Sequence, residues 1–149
     1  MSATTIRKHN TMTNWETVKL VGFDTETTGV DPNSDHIVTA AFYLHTANTS
    51  SNTLINPGVP IPDEAANVHG ITTAKAQADG INPVAGLTWI RDMLNWAWND
   101  GCVIVGHNIA YDLTIVNTNL ARHGLGTLTI TGPVLDTFVV DKHVDKWRK

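Results

Sequence analysis

The chain has 149 residues, 42% of them hydrophobic and 16% charged, which is enough for one hydrophobic core and excludes an extensively disordered protein. Its formal net charge of −4 excludes nucleic-acid binding through an overall basic surface, although a local cation site can still hold phosphate. The single cysteine excludes an intramolecular disulfide, so we expect a reducing, cytoplasmic location.

The chain begins with a polar segment, residues 1–16, that has no hydrophobic periodicity. We predict a flexible tail there, followed by a single domain over residues 17–149. A membrane span needs a run of about 18 apolar residues, which the sequence does not contain, so we expect no membrane contact.

Three strands are predicted after the tail. Residues 20–23 are an apolar run that predicts a strand buried on both sides, and the turn-forming sequence 27–32 follows it. Residues 36–44 and 52–56 are rich in β-branched and aromatic side chains, which is typical of strands. The short loops between them favour antiparallel pairing.

Helices dominate the rest of the sequence. Residues 63–69 are helical in composition and Gly70 can end that helix, while residues 83–99 repeat apolar side chains at helical spacing. A short apolar strand over 102–105, a helix over 110–122 and a last strand over 134–140 complete the order. This order predicts a mixed sheet with helices on its faces.

Two carboxylates, Asp24 and Glu26, stand directly after the first apolar run. Residues two apart on an extended strand point to the same face, so these acids lie side by side and repel each other unless a cation neutralises them. Oxygen ligands of this kind suit Mg²⁺ or Mn²⁺. A solvated turn is the alternative interpretation of the pair taken alone.

The stretch VGHNIAYD, residues 105–112, joins the fourth predicted strand to the following helix. Asp112 falls near the first turn of that helix, where the helix dipole stabilises a carboxylate. Asn108 by itself is a sufficient helix cap, so Asp112 need not be functional. His107 is equally well explained as a structural histidine.

A third candidate feature is Glu64 with His69, at the beginning and end of the helix predicted over residues 63–69. Residues five apart do not share a helical face, so the two side chains meet at one site only if the helix ends at Gly70. Taken alone, Glu64 is explained as a solvated charge.

The stretches FDTETTG, VHGIT, VGHNIAYD and LDT, in this order, resemble the motifs of DnaQ-like 3′–5′ exonucleases of the DEDD superfamily. The resemblance covers residues 18–140. It implies an α/β fold of the ribonuclease H-like type, with a mixed five-stranded sheet of three antiparallel strands followed by two parallel ones and flanking helices.

The resemblance also implies an activity, which is hydrolysis of phosphodiester bonds from the 3′ end of single-stranded DNA or RNA with two Mg²⁺ or Mn²⁺ ions. Asp24, Glu26 and Asp112 match the family's catalytic metal ligands. The positions that match substrate-binding residues are Thr27, Glu64, His69, Asn108 and Tyr111.

The sequence departs from the family pattern near its end. Relatives place a fourth carboxylate on a later helix, five residues after a His or four after a Tyr, whereas here the residue five after His143 is Arg148. Neither Asp141 nor Asp145 fits as a substitute, so we expect the last active helix to be truncated or missing. This chain alone is then inactive or nearly so, unless a partner subunit, a second polypeptide or another copy completes it.

Two other functions are compatible with parts of this sequence. A non-catalytic module would use the same cleft to hold a nucleic-acid end, or would use the fold for protein contacts. A metal-dependent phosphatase acting on small molecules fits Asp24 and Glu26 but leaves the VHGIT and VGHNIAYD matches unexplained.

Overall fold

A computed structural model describes residues 17–145, which form one five-stranded sheet and five helices. The strands are β1 (Leu20–Thr27), β2 (Ile37–Leu44), β3 (Thr49–Leu54), β4 (Val103–Gly106) and β5 (Val134–Asp136). The helices are α1 (Asp63–His69), α2 (Thr73–Asp79), α3 (Pro83–Asn99), α4 (Ile109–Arg122) and α5 (Thr137–Val144). The predicted tail lies outside the described residues, and no helix within 17–145 has the length and apolarity to cross a bilayer.

The strand order in the sheet is β3-β2-β1-β4-β5. β1 pairs antiparallel with β2, and β2 with β3, because short loops connect them. β4 pairs parallel with both β1 and β5, and the chain between these strands passes through helices. The predicted sheet of three antiparallel strands followed by two parallel ones is therefore confirmed, and β1 lies at its centre.

The main hydrophobic core lies between one face of this sheet and the helices α3 and α4. Alternation along β1 turns Val21 and Phe23 to this face, where the Phe23 ring stacks on Phe42 with 4.7 Å between ring centroids. Trp89 of α3 meets Phe42 edge-on at 5.4 Å. β1 is thus fixed from one side by aromatic packing.

The other face of β1 is open over much of its length. It carries Gly22, Asp24 and Glu26, and the partner residues in β2 include Ala41 and Tyr43. Asp24 and Ala41 are exposed and Tyr43 is 43% exposed, so this face forms the floor of a groove of about 460 Å³. A second small core, around Val38, Ile61 and Ala76, attaches α1 and α2 to the sheet.

The structure corrects the predicted end of the first strand. β1 does not stop at residue 23 but continues to Thr27, so Asp24 is paired with Ala41 and Glu26 with Thr39 inside the sheet. A register shift between Glu26 and Thr27 then ends the pairing. The carboxylates are held by backbone pairing rather than by a turn.

Three further elements differ from the predictions by more than one residue. The last strand, predicted over 134–140, ends at Asp136, whose carboxylate accepts the Phe138 N–H at 2.9 Å and caps α5. α2 was not predicted, and Thr72 caps it by accepting the Lys75 N–H at 3.2 Å. The third strand, predicted over 52–56, begins three residues earlier, at Thr49.

Candidate active site

Asp24 and Glu26, the two carboxylates of β1, lie on the same side of the strand, and each lines a different cavity at the protein surface. Asp24 lines the open groove together with Gly106 and His107. Glu26, which is half-buried, lines a separate pocket of about 480 Å³. β1 therefore places Asp24 in the groove and Glu26 in the pocket.

The third predicted carboxylate, Asp112, approaches β1 from the first turn of α4. It is 4% exposed, and its Oδ1 accepts the Thr25 N–H at 3.0 Å and the Thr25 Oγ–H at 2.6 Å. Burial raises the pKa of Asp112 from 3.8 to about 6, the negative charge of Asp24 adds to this, and the Thr25 hydrogen bonds oppose it. Asp112 and Asp24 are thus close enough to repel, and a cation near both would stabilise their ionised forms.

These acids have the donor chemistry of a hard divalent cation site, since all three offer carboxylate oxygens. They do not form a preformed cage: within residues 17–145, no three or more His, Cys, Asp or Glu side chains are grouped so that they could hold a metal ion. One oxygen of Asp112 is already engaged by Thr25. The assignment of Asp24, Glu26 and Asp112 as metal ligands therefore stays a prediction.

The pocket beside Glu26 brings together four of the five side chains predicted to bind substrate. They are Thr27, Glu64, His69 and Tyr111. The remaining lining residues are the 28–30 segment, Pro62, Ala65 and Val68. The pocket thus combines a polar floor with an apolar wall.

Thr27 and Tyr111 are locked together at the floor of this pocket. The Tyr111 hydroxyl lies 2.7 Å from the Gly29 carbonyl oxygen and 2.9 Å from Thr27 Oγ1, which lies 2.6 Å from the same carbonyl. The two hydroxyl hydrogens are shared among these three oxygens. Burial raises the pKa of Tyr111, so it remains a neutral hydrogen-bonding group at physiological pH.

His69 has one buried ring nitrogen that lacks a hydrogen-bond partner among the described residues. Its Nδ1 accepts the Ile71 N–H at 3.2 Å, so the neutral ring carries its hydrogen on Nε2. Nε2 is buried and has no hydrogen-bond partner among the described residues. α1 ends at Gly70, which has a left-handed φ of 77°, and this is the condition under which Glu64 and His69 share a site.

Asn108 does not join the other predicted substrate residues in this pocket. Its side chain also does not cap α4, contrary to our expectation, because the residue adopts a left-handed conformation with φ 58° and ψ 40°. Its backbone N–H donates instead to the Asp136 carboxylate at 2.9 Å. His107 Nδ1 lies 3.1 Å from Thr137 Oγ1 and its ring meets Phe138 edge-on, while the side chain is exposed at the groove that Asp24 lines.

Sequence reasoning missed two residues that hold the site in place. Thr25, between the two acids of β1, binds Asp112 although 87 positions separate them. Asp136 joins the start of α4 to the start of α5 by accepting the Asn108 and Phe138 N–H groups. The LDT stretch marked Asp136 without assigning it this role, and although FDTETTG contains Thr25 and VGHNIAYD contains Asp112, nothing in the sequence showed that the two residues bind each other.

Comparison with known proteins identifies relatives over most of the chain. The family model RNase_T, described as Exonuclease, matches residues 21–148. A DNA polymerase III subunit epsilon-like protein of Rhodobacter capsulatus is 37% identical over 127 residues, which are 80% of this chain and 17% of that protein. The PolC-type DNA polymerase III of Mycoplasma pneumoniae is 30% identical over 122 residues, covering 79% of this chain and 8% of the polymerase.

Solved structures confirm the predicted ribonuclease H-like fold. The metal-free E. coli ExoI–ssDNA complex matches with a TM-score of 0.73 at 19% identity, covering 88% of this chain and 30% of that one. The zinc-bound form of that complex matches with a TM-score of 0.71 at 18% identity, with the same coverage of 88% and 30%. This chain therefore spans less than a third of each of these relatives.

Proposed function

Because this chain belongs to the RNase_T exonuclease family, we propose that it removes nucleotides from the 3′ end of single-stranded nucleic acid by phosphodiester hydrolysis. One observation carries the proposal. A pocket with a buried, unpartnered His69 Nε2 lies directly beside Glu26, on the same side of β1 as Asp24. A terminal nucleotide bound in that pocket would have its phosphodiester bond next to Glu26.

Asp24, Glu26 and Asp112 would hold the divalent ions, for which we propose two Mg²⁺ or Mn²⁺. When bound, such ions activate water and stabilise a leaving oxygen. The raised pKa of Asp112 and its repulsion with Asp24 support this assignment, because excess negative charge in a poorly solvated place is what a cation relieves.

The pocket residues would bind the terminal nucleotide. His69 lines the pocket, and its buried Nε2–H would donate to a phosphate or sugar oxygen once the ring turns toward the ligand. Thr27 and Tyr111 offer hydroxyl oxygens on a floor fixed by the Gly29 carbonyl. Ala65, Val68 and the exposed Val30 offer apolar contacts to a base without reading its identity. Such binding needs no basic surface, which agrees with the net charge of −4.

We further propose that residues 1–149 turn over slowly by themselves. The fourth carboxylate and the general base of the family pattern are not found in this sequence at the family's spacing, and general-base assistance is typically worth about 10²–10⁴-fold. A partner subunit, a second polypeptide or another copy would supply them over the open groove beside Asp24. The cytoplasmic location remains a prediction.

The experiment follows a single-stranded oligonucleotide labelled at its 5′ end, as DNA and as RNA, with Mg²⁺ or Mn²⁺. We expect a slow ladder of products shortened from the 3′ end, lost in Asp24→Asn and retained in the control Asp92→Asn, whose acid is exposed on α3. Release of the labelled 5′ nucleotide first, or equal activity of Asp24→Asn, would refute the assignment. Rapid turnover by residues 1–149 would refute only the need for completion.

The alternative is a non-catalytic module that holds a nucleic-acid end. The observation in its favour is that the described residues hold no preformed group of three metal ligands. Under this alternative the oligonucleotide binds but is never shortened, with any divalent ion, and Asp24→Asn leaves binding unchanged.

A further inference from the structure

The turn between β1 and β2 forms one wall of the nucleotide pocket through residues 28–30. This turn is held from outside by Arg122, at the end of α4. Arg122 Nη1 donates to the Asp35 carbonyl at 3.0 Å, and Nη2 donates to the Ser34 carbonyl at 2.9 Å. The guanidinium thus spans consecutive carbonyls of the turn with both of its terminal nitrogens.

Asp35 carries this restraint to the pocket wall. Its carboxylate accepts the Thr28 Oγ–H at 2.9 Å and the Asp31 N–H at 2.8 Å. It also packs against Gly29 so closely that a Cβ on Gly29 would lie 2.6 Å from Asp35 Oδ2. Gly29 is the residue whose carbonyl accepts from Tyr111, so the chain of contacts runs from Arg122 to the pocket floor.

Two neighbours of Arg122 strengthen the same contact. The buried Asn119, one helical turn earlier, donates from Nδ2 to the Asp35 carbonyl at 3.1 Å. His36 Nδ1 lies 3.1 Å from Arg122 Nη1 and must accept, because a guanidinium only donates. α4 therefore holds Asp112 and Tyr111 at one end and the turn at the other.

We infer that Arg122 is a positioning residue for nucleotide binding, acting through Asp35 and Gly29 rather than by touching the nucleotide. This inference rests on the proposed function of the pocket. The competing explanation is that Arg122 attracts phosphate by its charge. Its engagement with turn carbonyls favours positioning, since the planar fork of Arg matches two acceptors in a way that Lys cannot.

The test uses three variants of the full chain. Arg122→Met keeps the aliphatic stem and removes the fork, and Arg122→Lys keeps the charge without the fork. Arg91→Met is the matched control, because Arg91 lies on α3 and, among residues 17–145, its guanidinium bonds to Asp92 and not to the turn. Amide hydrogen exchange measures the turn at two positions: the Asp31 N–H, which donates to the Asp35 carboxylate, and the His36 N–H, which donates to Thr28 Oγ1 at 3.0 Å. Fluorescence anisotropy with a single-stranded oligonucleotide measures binding.

We expect Arg122→Met and Arg122→Lys to exchange these two amides about tenfold faster, the effect of losing a hydrogen bond to a charged group. In both variants the oligonucleotide affinity should fall by about three- to tenfold, as expected for the loss of such a hydrogen bond. Arg91→Met should have the exchange rates and the affinity of the wild type. Unchanged exchange, unchanged affinity, or rescue of affinity by Arg122→Lys would each overturn the inference. If the wild type binds no oligonucleotide, the proposed function fails and this inference fails with it, whereas the exchange data still report whether Arg122 holds the turn.

Discussion

Phe23 and Asp24 are neighbours in β1 that face opposite environments. Phe23 is 3% exposed in a core closed by α3 and α4, whereas Asp24 is exposed at an open groove. Because successive side chains of a strand point to opposite faces, Phe23 contributes to the core while Asp24, the next residue, faces the candidate metal site. Substitutions on the two faces should therefore have different consequences, since Phe23 packs in the core and Asp24 does not.

The largest expected effect comes from Phe23→Ala on the covered face. Removing the ring leaves a cavity beside Phe42 and should lower the free energy of unfolding by about 3–5 kcal/mol. Chemical denaturation measures it. Tyr43→Ala, on the open face and 43% exposed, is the control and should cost less than about 1 kcal/mol. Equal losses would show that something else covers the open face.

A smaller effect of opposite sign is expected for Asp112→Asn. The amide keeps a carbonyl oxygen for Thr25 and removes a buried charge, so without divalent ions it should stabilise the fold at pH 8 by up to roughly 3 kcal/mol. The pKa of Asp112 is raised from 3.8 to about 6, so the wild type loses stability as pH rises through this interval.

Denaturation of both proteins at a series of pH values tests this expectation. The two stability curves should converge below about pH 4, where the unfolded carboxylate is also protonated, and separate fully above about pH 6, the value for folded Asp112. A difference that does not vary with pH would show that the charge of Asp112 is not the cause.

The smallest effect should come from Tyr111→Phe, which removes one hydroxyl from the pocket floor. The lost hydrogen bond to the Gly29 carbonyl should cost about 1 kcal/mol of stability. Oligonucleotide affinity should fall severalfold, because Thr27 Oγ1 loses its hydrogen bond to Tyr111 and keeps the one to the Gly29 carbonyl. Anisotropy and thermal unfolding on the same sample separate the two effects, and loss of stability with unchanged affinity would remove Tyr111 from the binding site.

Much of this fold follows from side-chain patterns that the sequence displays. Apolar residues at helical spacing predicted α3, and β-branched runs with short loops predicted the antiparallel hairpins. The end of β1 was mispredicted because backbone pairing continues past Phe23 after the apolar pattern stops. The last strand was predicted too long because Val139 and Val140 look strand-like, although both are exposed on α5.

The sequence predicted which residues form the candidate site, but it did not predict how those residues contact one another. The motifs marked Asp24, Glu26 and Asp112, but burial of Asp112 behind Thr25 depends on a contact across 87 positions. The hydrogen bonds from Arg122 to the Ser34 and Asp35 carbonyls likewise form only when α4 packs beside the turn between β1 and β2. Local patterns do not encode such contacts, since only the completed sheet brings their partners together.

The central claim is that β1 presents Asp24 to a divalent cation, and Mn²⁺ binding followed by electron paramagnetic resonance tests it most directly. We predict that the wild type and Asp92→Asn bind Mn²⁺ alike and that Asp24→Asn weakens binding at least about tenfold, as expected for removing one charged ligand. Mn²⁺ binding that is absent in the wild type, or unchanged in Asp24→Asn, would contradict the account.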